Sequence, residues 1–231
     1  MALVVADTEA AARDAADQVI VEYEEREAVT DLRRSADAEA PLLWREAPGN
    51  VALDWNGPGT DEANSRALDQ IFAGAAYVAR ITAINQRIVV APLEPRAALA
   101  VYDAPEDRYT LTCGAQSVFV LHNHLCRTLG VAADRLRVVS GDVGGAFGMR
   151  TAPYPEYPAL LVAARLSRRP VRWIASRSET FLTDNQARDT VTEAALALDA
   201  EGRFLGLRID GMANMGAYLT SHAAFISSRS I

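Results

Sequence analysis

The residues with the most distinctive chemistry lie in one short run, Gly141-Asp142-Val143-Gly144-Gly145-Ala146-Phe147-Gly148-Met149-Arg150. Glycine loses more backbone entropy on ordering than any other residue. Four glycines between positions 141 and 148 therefore predict a backbone that must adopt positive φ or come into close contact with something. Phe147 is the one ring in the run and reads as a wall beside whatever the backbone approaches. The simpler reading is a tight turn around a core phenylalanine.

Neither common phosphate loop fits. A dinucleotide fingerprint needs G-x-G-x-x-G; Gly145 and Gly148 suit its second and third glycines, but Val143 stands where the first is required. The G-x-x-x-x-G-K-[ST] loop fails because the chain contains no lysine, and the same absence removes Schiff-base chemistry. His122-Asn123-His124 suggests a metal pair, yet residues two apart on a helix point about 200° from one another and cannot share an ion. Both are expected as ordinary histidines on a helix surface. His222 has no sequence neighbour that suggests a triad, and the serines near the C-terminus lack a G-x-S-x-G elbow. Asp142 and Glu156 are read as anchoring or capping acids.

The 231 residues are 50% hydrophobic, ample for a core in one large or two small domains. A net charge of −7 with no basic block excludes a nucleic-acid partner, which needs a clustered positive face. Cys113 and Cys126 are too few for a disulfide scaffold or an iron–sulfur site and are expected as free, buried thiols. The start shows no basic n-region or long h-region, and no apolar run reaches spanning length, so the expectation is a cytoplasmic protein with no membrane span.

The elements that position the glycine run follow from periodicity. Leu136 to Ser140 reads as a buried strand entering it, and a helix from Pro155 to Arg168 follows it. Upstream, Ala75–Ala91, Ala97–Tyr102 and Arg108–Leu111 read as sheet. A helix carrying Val118, Leu121, Leu125 and Leu129 on one face is capped by Ser117 and ended by Gly130. Val171–Ser176 is another strand, and Thr190–Asp199 pairs with Phe204–Met215 across Ala200-Glu201-Gly202. At the start, strands at Ala2–Ala6 and Val19–Glu24 flank a helix capped by Thr8, a unit too small to bury both its faces alone. Residues 28–70 are poor in pattern and read as a linker. The class is α+β, a mixed sheet with helices on one face.

Cys113-Gly114-Ala115-Gln116-Ser117-Val118-Phe119, Leu129-Gly130-Val131 and Val138 to Gly148 together resemble the molybdopterin-binding large subunit of the molybdenum hydroxylases: xanthine dehydrogenase, aldehyde oxidoreductases and aerobic carbon monoxide dehydrogenase. The resemblance continues through Tyr154-Pro155-Glu156-Tyr157, Arg169 to Trp173, Arg177-Ser178-Glu179, Ala187-Arg188-Asp189 and Gly216-Ala217-Tyr218. Upstream, Pro92 to Ala98 resembles the family's M-E-x-R-x-A stretch, with Leu93 in place of methionine. The family's organisation implies that residues 1–45 are the end of a small α/β domain. Residues 46–74 would then be a linker, and 75–231 the first part of the molybdopterin-binding domain, truncated.

By that resemblance, Gln116 donates its amide to an oxo ligand of molybdenum, and Phe147 stands beside the metal's ligands. Gly144, Gly145, Ala146 and Gly148 bring backbone amides to the metal ligands or the pterin, and Arg150, counted with the cofactor-binding residues, stands where a lysine or another polar residue is frequent. Ala146 replaces a third glycine common in the family. Thr151 lies near a position that carries a substrate-directing glutamate in some members, so a purine substrate is not indicated. The family's general base is a glutamate beyond residue 231, which leaves no catalytic residue in this chain. The implied protein is a fragment of an oxidoreductase subunit, inactive alone, that carries part of the wall for molybdopterin in its plain or cytosine dinucleotide form. It would act on an aldehyde, N-heterocycle or similar small molecule. Its implied partners are the rest of the large subunit, an iron–sulfur small subunit and an FAD-binding medium subunit, since this chain holds neither of those electron carriers. The alternative is a non-catalytic remnant or scaffold that keeps the loop without the cofactor.

Overall fold

The computed structural model describes residues 2–57, 60–151, 153–220 and 222–227. In chain order the elements are α1 (Glu9–Ala16), α2 (Glu62–Gly74), β1 (Tyr77–Asn85), β2 (Ala97–Asp103), β3 (Arg108–Cys113), α3 (Val118–Leu129), β4 (Leu136–Val139), α4 (Glu156–Ser167), β5 (Val171–Ile174), α5 (Arg177–Thr183), β6 (Thr190–Leu198), β7 (Phe204–Ala213) and α6 (Ala223–Ser227). They divide between two compact units, Met1–Glu25 with Val89–Gln186, and Arg26–Ile88 with Ala187–Ile231.

The first unit holds a four-stranded sheet in the order β4-β3-β2-β5. The β2–β3 and β2–β5 pairs are antiparallel, and β3–β4 is parallel, joined by the α3 crossover that parallel pairing requires. Alternation along β2 and β3 buries Ala98, Ala100, Tyr109, Leu111 and Cys113 on one face. Leu121 and Leu125 of α3 and Tyr157, Leu160, Leu161 and Ala164 of α4 belong to the same core, as the expected placement of helices on one face requires. Each fully buried leucine there contributes roughly 1.5–3 kcal/mol. Ser117 accepts from Val120 N, and Gly130 ends α3 at φ 66°, the left-handed turn that favours glycine.

Strand direction decides where the chemistry can lie. Because β3 and β4 are parallel, the segments that leave their carboxyl ends, 114–117 and 140–151, emerge at the same end of the sheet. β2 runs the other way, so its entry segment Pro92–Arg96 arrives at that end too, and so does the exit of β5, whose Ala175 N donates to Arg96 O at 2.9 Å. Four connections therefore gather at one edge, the usual place for a ligand in an open sheet with parallel strands.

The second unit is an antiparallel sheet in the order β1-β6-β7, with α2 packed on β7. A Cβ at Gly206 would meet Leu68 Cδ1 at 2.8 Å and Ile71 Cγ2 at 3.2 Å, so glycine allows that close seating. Trp44 Nε1 donates to Ala217 O at 2.7 Å and tethers the start of the unit to its last third.

Three expectations differ from the structure. The strands foreseen at Ala2–Ala6 and Val19–Glu24 are irregular, with Ile20 and Tyr23 89% and 82% exposed, because no neighbouring strand among the described residues completes a ladder for them. The span read as linker contains α2, which opens with Asp61 accepting from Asn64 N and turns Leu68, Ile71 and Phe72 to one side. The strand foreseen through Ser176 stops at Ile174, because Ser176 caps α5 in a reciprocal capping box with Glu179. No helix among the described residues is long and apolar enough to cross a membrane.

Candidate functional site

The glycine run crosses the gathered end of the first sheet with three positive-φ residues in four positions. Gly145 and Gly148 sit at φ 107° and 95°, and Phe147 between them at φ 48°, an unusual conformation for a residue with a side chain. Gly144 is pressed onto Glu94: a Cβ there would fall 2.5 Å from Glu94 Cβ. The Gly144 N–H donates to the Glu94 carboxylate, and Glu94 N donates back to Gly144 O at 3.2 Å. A Cβ at Gly145 would meet both Phe147 Cε2 and Pro92 Cβ at 3.0 Å.

Phe147 is 78% exposed, which decides against the tight turn around a core phenylalanine. Among the described residues, the N–H groups of Gly145, Ala146, Phe147 and Gly148 donate to no protein acceptor. Four successive amides without a protein acceptor, on a loop that is exposed or half-buried, are left to bond water or an electron-rich group.

Gln116 stands against the far end of this run. Its backbone N–H donates to Arg150 O at 3.2 Å, and its Oε1 accepts from the Thr151 hydroxyl at 3.2 Å. Ala115 N donates to Ser140 Oγ at 3.2 Å, so the turns after β3 and β4 are also fastened at their roots. Gln116 and the loop thus belong to one hydrogen-bonded assembly.

Arg150 is placed differently from the other candidates. The residue is 3% exposed, and its Nη2 donates to Glu94 O at 2.6 Å and lies 3.5 Å from the Glu94 carboxylate. Its Nη1 lies where a side chain at residue 114 would be, so Gly114 provides the space for it. The guanidinium therefore faces inward and anchors the loop to Pro92–Arg96. Its Nε and Nη1 have no hydrogen-bond partner among the described residues.

The histidines, foreseen at the helix surface, are half-buried. His122 Nε2 lies 3.0 Å from Ala133 O and 3.1 Å from Leu136 O, which ties α3 to the start of β4. No group of three or more His, Cys, Asp or Glu among the described residues could hold a metal ion. Both cysteines are free thiols, Cys113 buried and Cys126 half-buried.

A buried cluster of charge underlies the Pro92–Arg96 segment and is not among the residues foreseen from the sequence. Arg96 is wholly buried, donating to Asp184 Oδ1 at 2.6 Å, Thr183 Oγ1 at 2.7 Å and Glu156 Oε1 at 3.1 Å. Its guanidinium carbon lies 3.7 Å from the centre of the Tyr154 ring. Burial pulls its pKa down, but the hydrogen bonds with Glu156 and Asp184 more than offset this and leave it raised. The Tyr154 hydroxyl donates to Met149 O at 2.8 Å and accepts from Asn185 N at 3.1 Å, which carries the cluster to the end of the loop. Arg177 donates to Pro92 O and Leu93 O, both at 2.7 Å. The signal that could have found this cluster is an arginine two residues after Glu94, just ahead of an apolar strand.

Removing Arg96 leaves a buried Asp184 and a largely covered Glu156 without their cation, a change that typically costs about 3–5 kcal/mol. Arg96→Ala is therefore expected to lower the thermal midpoint by roughly 10 °C in a chain of this size, as read by circular dichroism. A midpoint within a degree of wild type would contradict the assignment.

The same core predicts an alkaline weakness. Burial pushes the Cys113 thiol from 9.0 up to about 11, partly offset by Arg150, and the Tyr154 hydroxyl from 10.0 up to about 12. Above pH 9 the folded chain thus keeps protons that the unfolded chain releases. The stability is fully present below that pH and is lost as pH rises through 11 and 12, on the order of 3 kcal/mol for each group. Urea denaturation under reducing conditions at pH 8, 10 and 11.5 should show a falling midpoint; a flat profile would refute this.

Comparison with known proteins bears on the same segments. Residues 44–231 match the family model of the molybdopterin cofactor-binding domain. The chain is 33% identical over 216 residues to the nicotine 6-hydroxylase large subunit of Paenarthrobacter nicotinovorans, covering 94% of this chain and 26% of that protein. It is 30% identical over 226 residues to the carbon monoxide dehydrogenase large chain of Hydrogenophaga pseudoflava, covering 94% and 28%. Among solved structures, quinoline 2-oxidoreductase from Pseudomonas putida 86 superimposes with a TM-score of 0.76 at 32% identity, over 89% of this chain and 25% of that one. The chain thus spans about a quarter of the length of these relatives. With the match running through both gathered turns, the chain belongs to the molybdopterin cofactor-binding domain family of molybdenum hydroxylase large subunits.

Proposed function

We propose that this chain forms one wall of a molybdopterin site in an oxidoreductase that hydroxylates a small aldehyde or N-heterocycle with oxygen taken from water. The observation that carries the reading is the run of four unbonded amides, 145–148, fastened beside Gln116. When bound, the cofactor supplies the metal and the two-electron chemistry; the protein supplies position and electrostatics. The amides of Gly145 to Gly148 are donors for the electron-rich atoms of the group, and the absence of side chains at Gly145 and Gly148 lets the backbone come close. The Phe147 ring excludes water on one side. The Gln116 amide would offer a hydrogen-bond donor to the metal's ligands, a contact that would favour negative charge there. Arg150 and Glu94 hold the loop in place from beneath. The proton acceptor for the reaction belongs to another part of the subunit, and the electrons leave through iron–sulfur and FAD subunits, probed as co-purifying partners.

Residues 1–45 we read as the end of the preceding small α/β domain, residues 46–74 as a connection, and the compartment as the cytoplasm, where two free thiols persist. The cofactor is molybdopterin or its cytosine dinucleotide form. The experiment is elemental and pterin analysis of the complex obtained when this chain is produced together with the rest of its subunit and the partner subunits. Near one molybdenum and one pterin for each copy of the chain is the expected result. An assembled complex without either would overturn the reading and favour a scaffold role.

A further inference from the structure

The β1-β6-β7 sheet of the second unit inverts the usual arrangement of an antiparallel sheet, in which the apolar face is covered and the charged face meets water. Alternation puts Gly206, Arg208 and Asp210 of β7 on one face, beside Ala197, Ala195 and Glu193 of β6 and Val78, Arg80 and Thr82 of β1. That face carries α2: Leu68 and Ile71 seat on Gly206, Asp69 pairs with Arg208, and the Phe72 ring centre lies 5.0 Å from the Arg208 guanidinium carbon.

The opposite face is apolar in registered rows. Ala79, Leu196 and Leu207 make one row across the three strands, Ile81, Ala194 and Ile209 the next, and Tyr77 lies beside Leu198. None of these residues carries a charge. Yet Tyr77, Ile81, Leu207 and Ile209 are 63%, 64%, 55% and 42% exposed. A contiguous face of this composition is core surface that lacks its other half. Chain length indicates what supplies it. The chain covers 26% and 28% of the two large subunits compared above, so most of the same polypeptide lies outside it in those relatives. Permanent contacts are the ones whose surfaces are apolar and poor in charge, as the two halves of one domain core are. We propose that the sheet face opposite α2 is the seat of another segment of the same large subunit, an apolar layer that closes a shared core. The proposal rests on this chain being part of a longer subunit and is independent of the cofactor site.

The test uses the complex formed when this chain is produced with the rest of its subunit and the partner subunits. It is prepared with Ile81→Cys, with Tyr77→Cys, and with Thr82→Cys as the control on the α2 face. Each is treated with a maleimide under native conditions, and the wild-type complex gives the background from Cys113 and Cys126. Ile81→Cys and Tyr77→Cys are expected to react at least about tenfold more slowly than Thr82→Cys, because a covered thiol is out of reach. Loss of assembly in those two variants and not in Thr82→Cys supports the same conclusion. Equal rates at the three positions overturn it. To identify the occupant, benzoylphenylalanine replaces Tyr77 and the complex is irradiated. A cross-link to a peptide from the remaining part of the large subunit is expected; one to a second copy of this chain or to an iron–sulfur or FAD subunit overturns the proposal. A wild-type chain that does not assemble with the rest of its subunit is a different result: the reading of the chain as part of that subunit fails, and the proposal falls with it.

Discussion

Gly145→Val is expected to strip the assembled complex of molybdenum, by on the order of 100-fold, while the subunits still associate. The backbone at residue 145 lies at φ 107°, which a β-branched residue does not adopt, and forcing it costs roughly 1–3 kcal/mol before any contact is counted. The first carbon of the new side chain would already press on Phe147 Cε2 and Pro92 Cβ at 3.0 Å, and the two methyl groups beyond it need more room. Relief requires the backbone at 145–148 to shift, and its unbonded amides move with it. The core beneath, from Leu111 to Leu161, is untouched, so the fold survives and the binding surface does not. Molybdenum and pterin measured against protein, with the sedimentation profile of the complex as control, decide it. Wild-type loading in Gly145→Val would show that the loop does not face the cofactor.

Gln116→Leu is expected to leave molybdenum in place and slow turnover by roughly 100- to 1,000-fold, the usual consequence of deleting one preorganised donor to developing charge. Leucine keeps the volume and the backbone bond to Arg150 O, so the turn stays fastened; only the amide is lost. The assay uses whichever of nicotine, quinoline or an aromatic aldehyde the wild-type complex oxidises. The decrease should fall on kcat, with KM changed little, because the interaction strengthens as the reaction proceeds. An unchanged kcat would mean that the side chain donates nothing to the metal's ligands.

The sequence made the two capping residues of α3 and the strand–loop–helix order around the glycine run legible, because each rests on a local rule: Ser117 before an apolar run, Gly130 after it, and glycines where φ turns positive. What carried Gln116 to the same place is not local. It depends on β3 and β4 running parallel, a pairing no stretch of the chain announces by itself. The Arg96 cluster was hidden for the same reason: its partners Glu156, Thr183 and Asp184 lie more than fifty residues away, and single charged residues give no hint of which are buried together. Arg150 shows the converse. Its position in the run suggested a cofactor contact, but the space left by Gly114 and the carbonyl of Glu94 draw its guanidinium inward. By contrast α2 and α5 were legible and misread. Asp61 with Leu68, Ile71 and Phe72, and Ser176 with Glu179, are ordinary helix signals, the first inside the span read as linker and the second at the end of the stretch read as strand.

The most direct measurement is the position of the metal. Crystals of the assembled complex, with diffraction recorded on either side of the molybdenum absorption edge, locate it without reference to any prior placement. The expected result is an anomalous peak roughly 4–5 Å from Gln116 Nε2, one hydrogen bond and one ligand bond away, beside the 145–148 loop. A peak elsewhere, with Gln116 and Phe147 bordering only protein or solvent, would contradict it.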